Sequence, residues 1–202
     1  MEIEVLNVPF EHIIINDIYT KEELYLIWRE TDFLFNKLGG PDKTNAATEE
    51  ESELRKKSGK GIFLDNVYTD RSCSDLLNIT RKIFHNEEIR ESMRSTNSSY
   101  FKLFDKTNWD STLLQYYDDG DYYKSHTDES VFTAIYTYYK SPKNFTGGDL
   151  MFGDYEYCLP IQNNQLILFP SLINHEVSQV TMKNSEPMSG RFSIANLIFW
   201  KL

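Results

Sequence analysis

The chain has four histidines, and His126 has a carboxylate two residues on, in His126-Thr127-Asp128. Residues i and i+2 of an extended segment point to the same face, so both side chains can reach one metal ion. His175 offers a third ligand; it follows Leu166-Ile167-Leu168-Phe169-Pro170-Ser171, which reads as a buried strand ending in a turn. Two imidazoles and one carboxylate on one face of an octahedron leave three positions open for substrate and oxygen, which suits non-haem iron(II). The same set also suits a catalytic zinc with an open position. Arg191, in Gly190-Arg191-Phe192-Ser193, opens the last strand-like run. Facing inward, its guanidinium would need an anionic partner. A dicarboxylate held at one end by a metal could present its far end to such a bidentate cation. His12 and His85 have no comparable neighbours and read as surface or core-edge residues.

These side chains need a scaffold, and the pattern after Tyr100 supplies one. Short segments rich in Tyr, Phe, Ile, Val and Thr alternate with turn clusters such as Asp118-Asp119-Gly120, Thr146-Gly147-Gly148-Asp149 and Gln162-Asn163-Asn164. That spacing predicts an antiparallel sandwich or barrel. Ahead of it, Ile13–Ile15 reads as a strand closed by Asn16-Asp17. Thr20-Lys21-Glu22-Glu23 is a capping box that opens a helix with Leu24, Ile27 and Trp28 on its inner face. A second helix is expected from Ser74 to about Glu91, with Leu76, Leu77, Ile79, Ile83 and Phe84 as its apolar stripe. Between the two helices, Gly39 to Lys60 is polar and reads as a mobile loop, a candidate lid, in which Arg55-Lys56-Lys57 forms a solvated face.

Composition sets the outer bounds. A chain of 202 residues predicts one domain over 1–202, with strand, helices and loop in 1–99 and the sheet-rich core in 100–202. Thirteen tyrosines, 13 phenylalanines and 3 tryptophans exclude a disordered chain. A net charge of −10 disfavours a nucleic-acid partner, because phosphate binding needs a basic face. No apolar run is long enough for a membrane span, and the first residues carry two glutamates and no basic stretch. Cys73 and Cys158 stand far apart and read as reduced, buried thiols. A cytoplasmic setting is the expectation.

Tyr117-Asp118-Asp119-Gly120-Asp121-Tyr122-Tyr123-Lys124-Ser125-His126-Thr127-Asp128 resembles the Y-x-x-G-x-x-Y-x-x-H-x-D pattern of prolyl 4-hydroxylase-like 2-oxoglutarate- and iron(II)-dependent dioxygenases. The likeness continues in order through Thr133-Ala134-Ile135-Tyr136, Gly147-Gly148-Asp149-Leu150, Phe169-Pro170-Ser171, His175-Glu176-Val177 and Gly190-Arg191-Phe192-Ser193. It covers about residues 113 to 200 well and the first 35 loosely. The resemblance implies a mainly β fold with N-terminal helices, a cupin-like double-stranded β-helix (jelly roll) buttressed by helices. It implies Fe(II) on His126, Asp128 and His175, and 2-oxoglutarate bound through Arg191 with Tyr117, Tyr123, Ser193 and Thr137 nearby. The implied reaction hydroxylates a C–H bond with O2, releases succinate and CO2, and draws on ascorbate as reductant.

Three departures accompany the likeness. Thr137 stands where many members carry a tyrosine, which shortens a familiar co-substrate contact. Arg191 lies 16 positions after His175, longer than usual, so Thr181–Ser189 must loop out. Tyr116 and Tyr117 adjoin, and alternation lets only one of them face the site. The favoured substrate is a peptide or amino-acid side chain, or another small molecule. Two alternatives stay open: a non-catalytic cupin-like metal- or ligand-binding module, and a zinc hydrolase with Glu129 or Glu176 as its base.

Overall fold

Period-two alternation lets one strand serve two environments, and β13 (Arg191–Phe199) is the clearest case. Phe192, Ile194 and Ile198 are fully buried on one side, while Arg191, Ser193, Ala195, Leu197 and Phe199 line a cavity on the other. The structure is a computed structural model that describes residues 1–41, 44, 57–96 and 98–201.

β13 sits in a seven-stranded sheet with β1 (Glu2–Leu6), β2 (His12–Asn16), β3 (Lys60–Phe63), β4 (Trp109–Tyr117), β6 (Phe132–Tyr138) and β10 (Gln165–Pro170). Their spatial order is β1-β2-β10-β6-β13-β4-β3, with antiparallel pairing at every step. A smaller sheet of β5 (Tyr123–His126), β11 (His175–Val177), β8 (Leu150–Phe152) and β9 (Tyr157–Leu159) lies against the cavity face. A two-stranded ribbon joins β7 (Phe145–Thr146) to β12 (Thr181–Met182). The expected jelly roll with N-terminal helices is the observed architecture.

The helices cover the other face of the large sheet. α1 (Lys21–Phe35) starts at Thr20, whose hydroxyl accepts from the Glu23 amide at 3.2 Å while the Glu23 carboxylate accepts from the Thr20 amide at 2.7 Å. Trp28 meets Tyr138 and Phe192 edge-on, and Phe35 meets Tyr116 in the same way. The expected second helix is instead three pieces, α2 (Asp75–Thr80), α3 (Lys82–His85) and α4 (Glu87–Arg94). Asn86 causes the last break: its backbone is extended and its side chain accepts from the Ile89 amide, so it caps a new helix.

Four further expectations need correction or limits. Cys73 and Cys158 are exposed thiols, not buried ones. His85 is exposed, but His12 is fully buried, its Nδ1 bonded to the Phe10 carbonyl oxygen at 2.9 Å beside the rings of Phe10 and Tyr157. The 39–60 loop is pinned at both ends by a Gly39–Gly61 bridge and a Lys57–Tyr123 bridge, and Lys57 is buried rather than solvated. The rest of the candidate lid, residues 42–43 and 45–56, lies outside the described residues. The stretch after His175 does project, with residues 183–187 exposed, but its first two residues form β12.

Candidate functional site

His126 ends β5, His175 begins β11, and the two face each other in the pairing of those strands. Asp128 follows two residues after His126, and its amide is held by the Ser171 carbonyl at 3.0 Å. The ligating atoms of the three side chains all lie within 4.8 Å of one another. Each imidazole turns Nδ1 to a backbone carbonyl, His126 to Lys124 at 2.8 Å and His175 to Ile173 at 3.0 Å. A carbonyl only accepts, so Nδ1 carries the proton and the neutral ring presents a lone pair at Nε2. Those Nε2 atoms lie 3.7 and 3.6 Å from the Asp128 carboxylate oxygens. Burial pushes both imidazoles below their ordinary pKa, with the neighbouring His175 as a second cause at His126. The two Nε2 atoms and the Asp128 carboxylate thus converge, and a cation fits that arrangement. Two imidazoles and one carboxylate on one side match iron(II) with open positions. Thr133 donates its hydroxyl to Asp128 Oδ2 and fixes the carboxylate, as outer partners of metal ligands do.

The cavity in front of this cluster has a volume of about 480 Å³. At its inner end stands Arg191, only 1% exposed, with Nη1 donating to the Ser193 hydroxyl at 3.1 Å. Its Nε and Nη2 have no hydrogen-bond partner among the described residues. A buried guanidinium with idle donors is costly, and a carboxylate would satisfy it in a bidentate fork. Close packing makes the position possible. At Gly148, where φ is +69°, an added Cβ would come within 2.8 Å of the Arg191 side chain. The Gly-Gly-acid turn therefore has a steric reason at this position.

The structure brings together seven of the eight expected site residues. His126, Asp128, His175, Arg191, Tyr117, Tyr123 and Ser193 all line the cavity. Tyr117 is the inward member of its pair: the Arg191 guanidinium lies 5.0 Å from its ring centre. Tyr116 faces the helices, packed on Phe35 and Phe192. Tyr123 stacks on the His126 ring at 3.7 Å between centroids. Thr137 is not among the cavity-lining residues; it is fully buried, and its hydroxyl has no partner among the described residues. Sequence reasoning missed Gln115, which donates to the Tyr117 hydroxyl at 3.2 Å and could have been found by alternation from Tyr117. The charge run also gave no sign that Lys57 is buried.

The cavity is also lined by Phe63, Trp109 and Phe199. Among the described residues, no helix is long and apolar enough to cross a membrane.

Residues 112–199 match the 2OG-Fe(II) oxygenase superfamily. An uncharacterised PKHD-type hydroxylase of Synechocystis is 30% identical over 109 residues, a match covering 44% of this chain and 36% of that protein. The aligned part is therefore little more than a third of that relative's length. Among solved structures, a prolyl-4-hydroxylase of Pseudomonas putida superposes with a TM-score of 0.61 at 14% identity, covering 95% of this chain and 93% of that one. A viral collagen prolyl hydroxylase of Paramecium Bursaria Chlorella virus-1 gives a TM-score of 0.54 at 14% identity, over 92% and 93% of the two chains. At such identities the superpositions establish a shared fold.

Proposed function

We propose that this chain, whose residues 112–199 match the 2OG-Fe(II) oxygenase superfamily, is a 2-oxoglutarate- and iron(II)-dependent dioxygenase hydroxylating a C–H bond. The observation that carries this reading is the convergence of the His126, Asp128 and His175 ligand atoms within 4.8 Å, with each imidazole Nδ1 turned to a backbone carbonyl. Iron(II), 2-oxoglutarate and O2 together supply the oxidising chemistry when bound, with succinate and CO2 as by-products and ascorbate as reductant. The protein's own residues bind and orient. His126, Asp128 and His175 would hold the metal, Thr133 keeps the Asp128 carboxylate in one orientation, and Tyr123 covers one face of the His126 ring. Arg191 takes the far carboxylate of the co-substrate, steadied by Ser193 and flanked by Tyr117.

For the substrate we favour a peptide or amino-acid side chain. Phe63, Trp109 and Phe199 in the cavity lining give it an aromatic wall suited to an apolar or prolyl group, and the net charge of −10 steers polyanions away. The prolyl hydroxylases that share the fold make proline-containing peptides the first to screen. A cytoplasmic setting is in keeping with two exposed free thiols.

The direct test is succinate release with Fe(II), 2-oxoglutarate and O2, followed by a screen for added oxygen on peptides, amino acids and an oligonucleotide. Asp128→Ala should abolish metal binding and succinate formation together, whereas Asp149→Ala should leave the metal in place. A zinc hydrolase or a non-catalytic module would release no succinate, and that result would overturn the proposal.

A further inference from the structure

The lining of the cavity carries the charged side chains of Asp128, Glu129 and Arg191. Asp128 belongs to the triad, and Arg191, at the start of β13, to the co-substrate. Glu129 has no task yet. It is exposed, and its carboxylate has no ion pair or hydrogen bond among the described residues. The backbone places it. Val131, two residues on, donates its amide to the Ile198 carbonyl at 2.8 Å, so Glu129 lies near the end of β13 that carries Leu197 and Phe199, far from Arg191. Leu197 is paired with Thr133, the residue that holds Asp128, so the triad lies toward this end as well.

Around Glu129 the lining is otherwise largely apolar. Leu113, Leu197 and Phe63 contribute to it, and the rings of Trp109 and Phe199 pack with centroids 4.8 Å apart. The Lys201 ammonium lies 3.1 Å from the centre of the Trp109 ring but is not itself part of the lining. A carboxylate set among apolar walls discriminates by charge. Hydrated, Glu129 carries no penalty. A ligand that fills this end strips water from it, and only a positive charge on that ligand offsets the loss. A neutral ligand strands the carboxylate, and an anionic one is repelled. We infer that Glu129 is a specificity-determining residue for the substrate, receiving a cationic group (an ammonium or guanidinium) joined to an apolar portion that lies against Leu197 and Phe199. This rests on the dioxygenase reading above and deepens it by fixing the sign of the substrate's charge. Glu129 adjoins Asp128, with Cα atoms about 3.8 Å apart, so the contact is made beside the triad and not at a remote site. The net charge of −10 draws cations in the same direction.

Calorimetry on protein loaded with Mn(II) and 2-oxoglutarate measures binding without turnover. One arm uses capped tetrapeptides in which an apolar residue adjoins lysine, norleucine or glutamate; the other uses phenethylamine and its alcohol. The wild type should bind the cation roughly three- to tenfold more tightly than the neutral counterpart in at least one arm, between the values for an exposed and a desolvated ion pair. A preference in the peptide arm alone identifies a basic peptide as the source of the cation, and in the amine arm alone a small amine. Glu129→Gln should abolish the preference, Glu129→Asp should keep part of it, and Glu129→Lys should favour the glutamate peptide. Each variant is scored by the ratio of two ligands, so a general loss of affinity cancels. Equal affinities in the wild type, no binding in either arm, or a preference that survives Glu129→Gln would overturn the role of Glu129. Succinate release by the wild type with Fe(II), 2-oxoglutarate and O2 would then leave the dioxygenase reading standing, whereas no succinate would remove both.

Discussion

The two faces of β13 differ in what they leave unfinished. On the helix side, Phe192 packs against Trp28, Tyr116 and Tyr138, and Asn196 donates to the Thr112 hydroxyl at 2.9 Å. On the cavity side, Arg191 is just as buried but keeps two donors without partners among the described residues. The helix-side face is closed by aromatic packing, and of Asn196 only Oδ1 lacks a partner among the described residues. The other leaves a buried guanidinium with two nitrogens unpartnered among the described residues, as the proposed co-substrate site requires. The same strand therefore contributes stability through its even-numbered residues and binding through its odd-numbered ones, and substitutions should separate the two.

The largest effect is expected on the helix side. Phe192→Ala should cost about 3–5 kcal/mol of stability, the range for emptying a packed aromatic site, read from denaturant unfolding. Metal binding should survive wherever the variant is folded. Next comes Arg191→Met, which should weaken 2-oxoglutarate binding by on the order of 2–5 kcal/mol while the ligand-free melting temperature holds or rises. A fall in melting temperature equal to that of a core variant would erase the distinction between the faces.

Thr133→Val keeps the shape and removes the hydroxyl that holds Asp128. Metal affinity should drop roughly ten- to a hundredfold in a Mn(II) titration, with little change in stability.

The smallest effect concerns His12, a polar residue on the small-sheet side that serves packing. Burial lowers its pKa, so the unfolded chain takes up the proton more readily than the folded one. Its contribution is intact above the ordinary histidine value of about 6.5 and is lost as pH falls below it. His12→Phe should therefore flatten the acid side of the stability profile between pH 7 and 5, measured by urea unfolding. An identical profile would mean that His12 does not titrate with unfolding.

Much of this division was legible in the sequence because it follows local rules. The Thr20–Glu23 capping box needs only four residues, and the H-x-D spacing puts two ligands on one face whatever the rest of the fold does. The Tyr116/Tyr117 ambiguity needed one long-range fact, the pairing of Tyr117 with Arg191 across β4 and β13. Asn86 was hidden because an asparagine inside an apolar stripe reads as part of a helix until its backbone is seen to be extended. Lys57 was hidden for a stronger reason. A run of basic residues predicts solvent, and only its bridge to Tyr123, 66 positions along the chain, carries it inside.

The shared use of β13 also sets a rule for length changes. An extra residue among positions 183–187 adds only to an exposed stretch. One extra residue between Arg191 and Leu197, by contrast, would exchange the faces of everything beyond it, sending Leu197 toward the helices and Ile198 toward the cavity. Inside this strand, insertions and deletions are tolerable only in pairs, and even a pair would move Arg191 by nearly 7 Å relative to the residues beside the triad. The strand is a ruler as well as a wall. A chain engineered to accept a longer or shorter dicarboxylate would have to change length there two residues at a time.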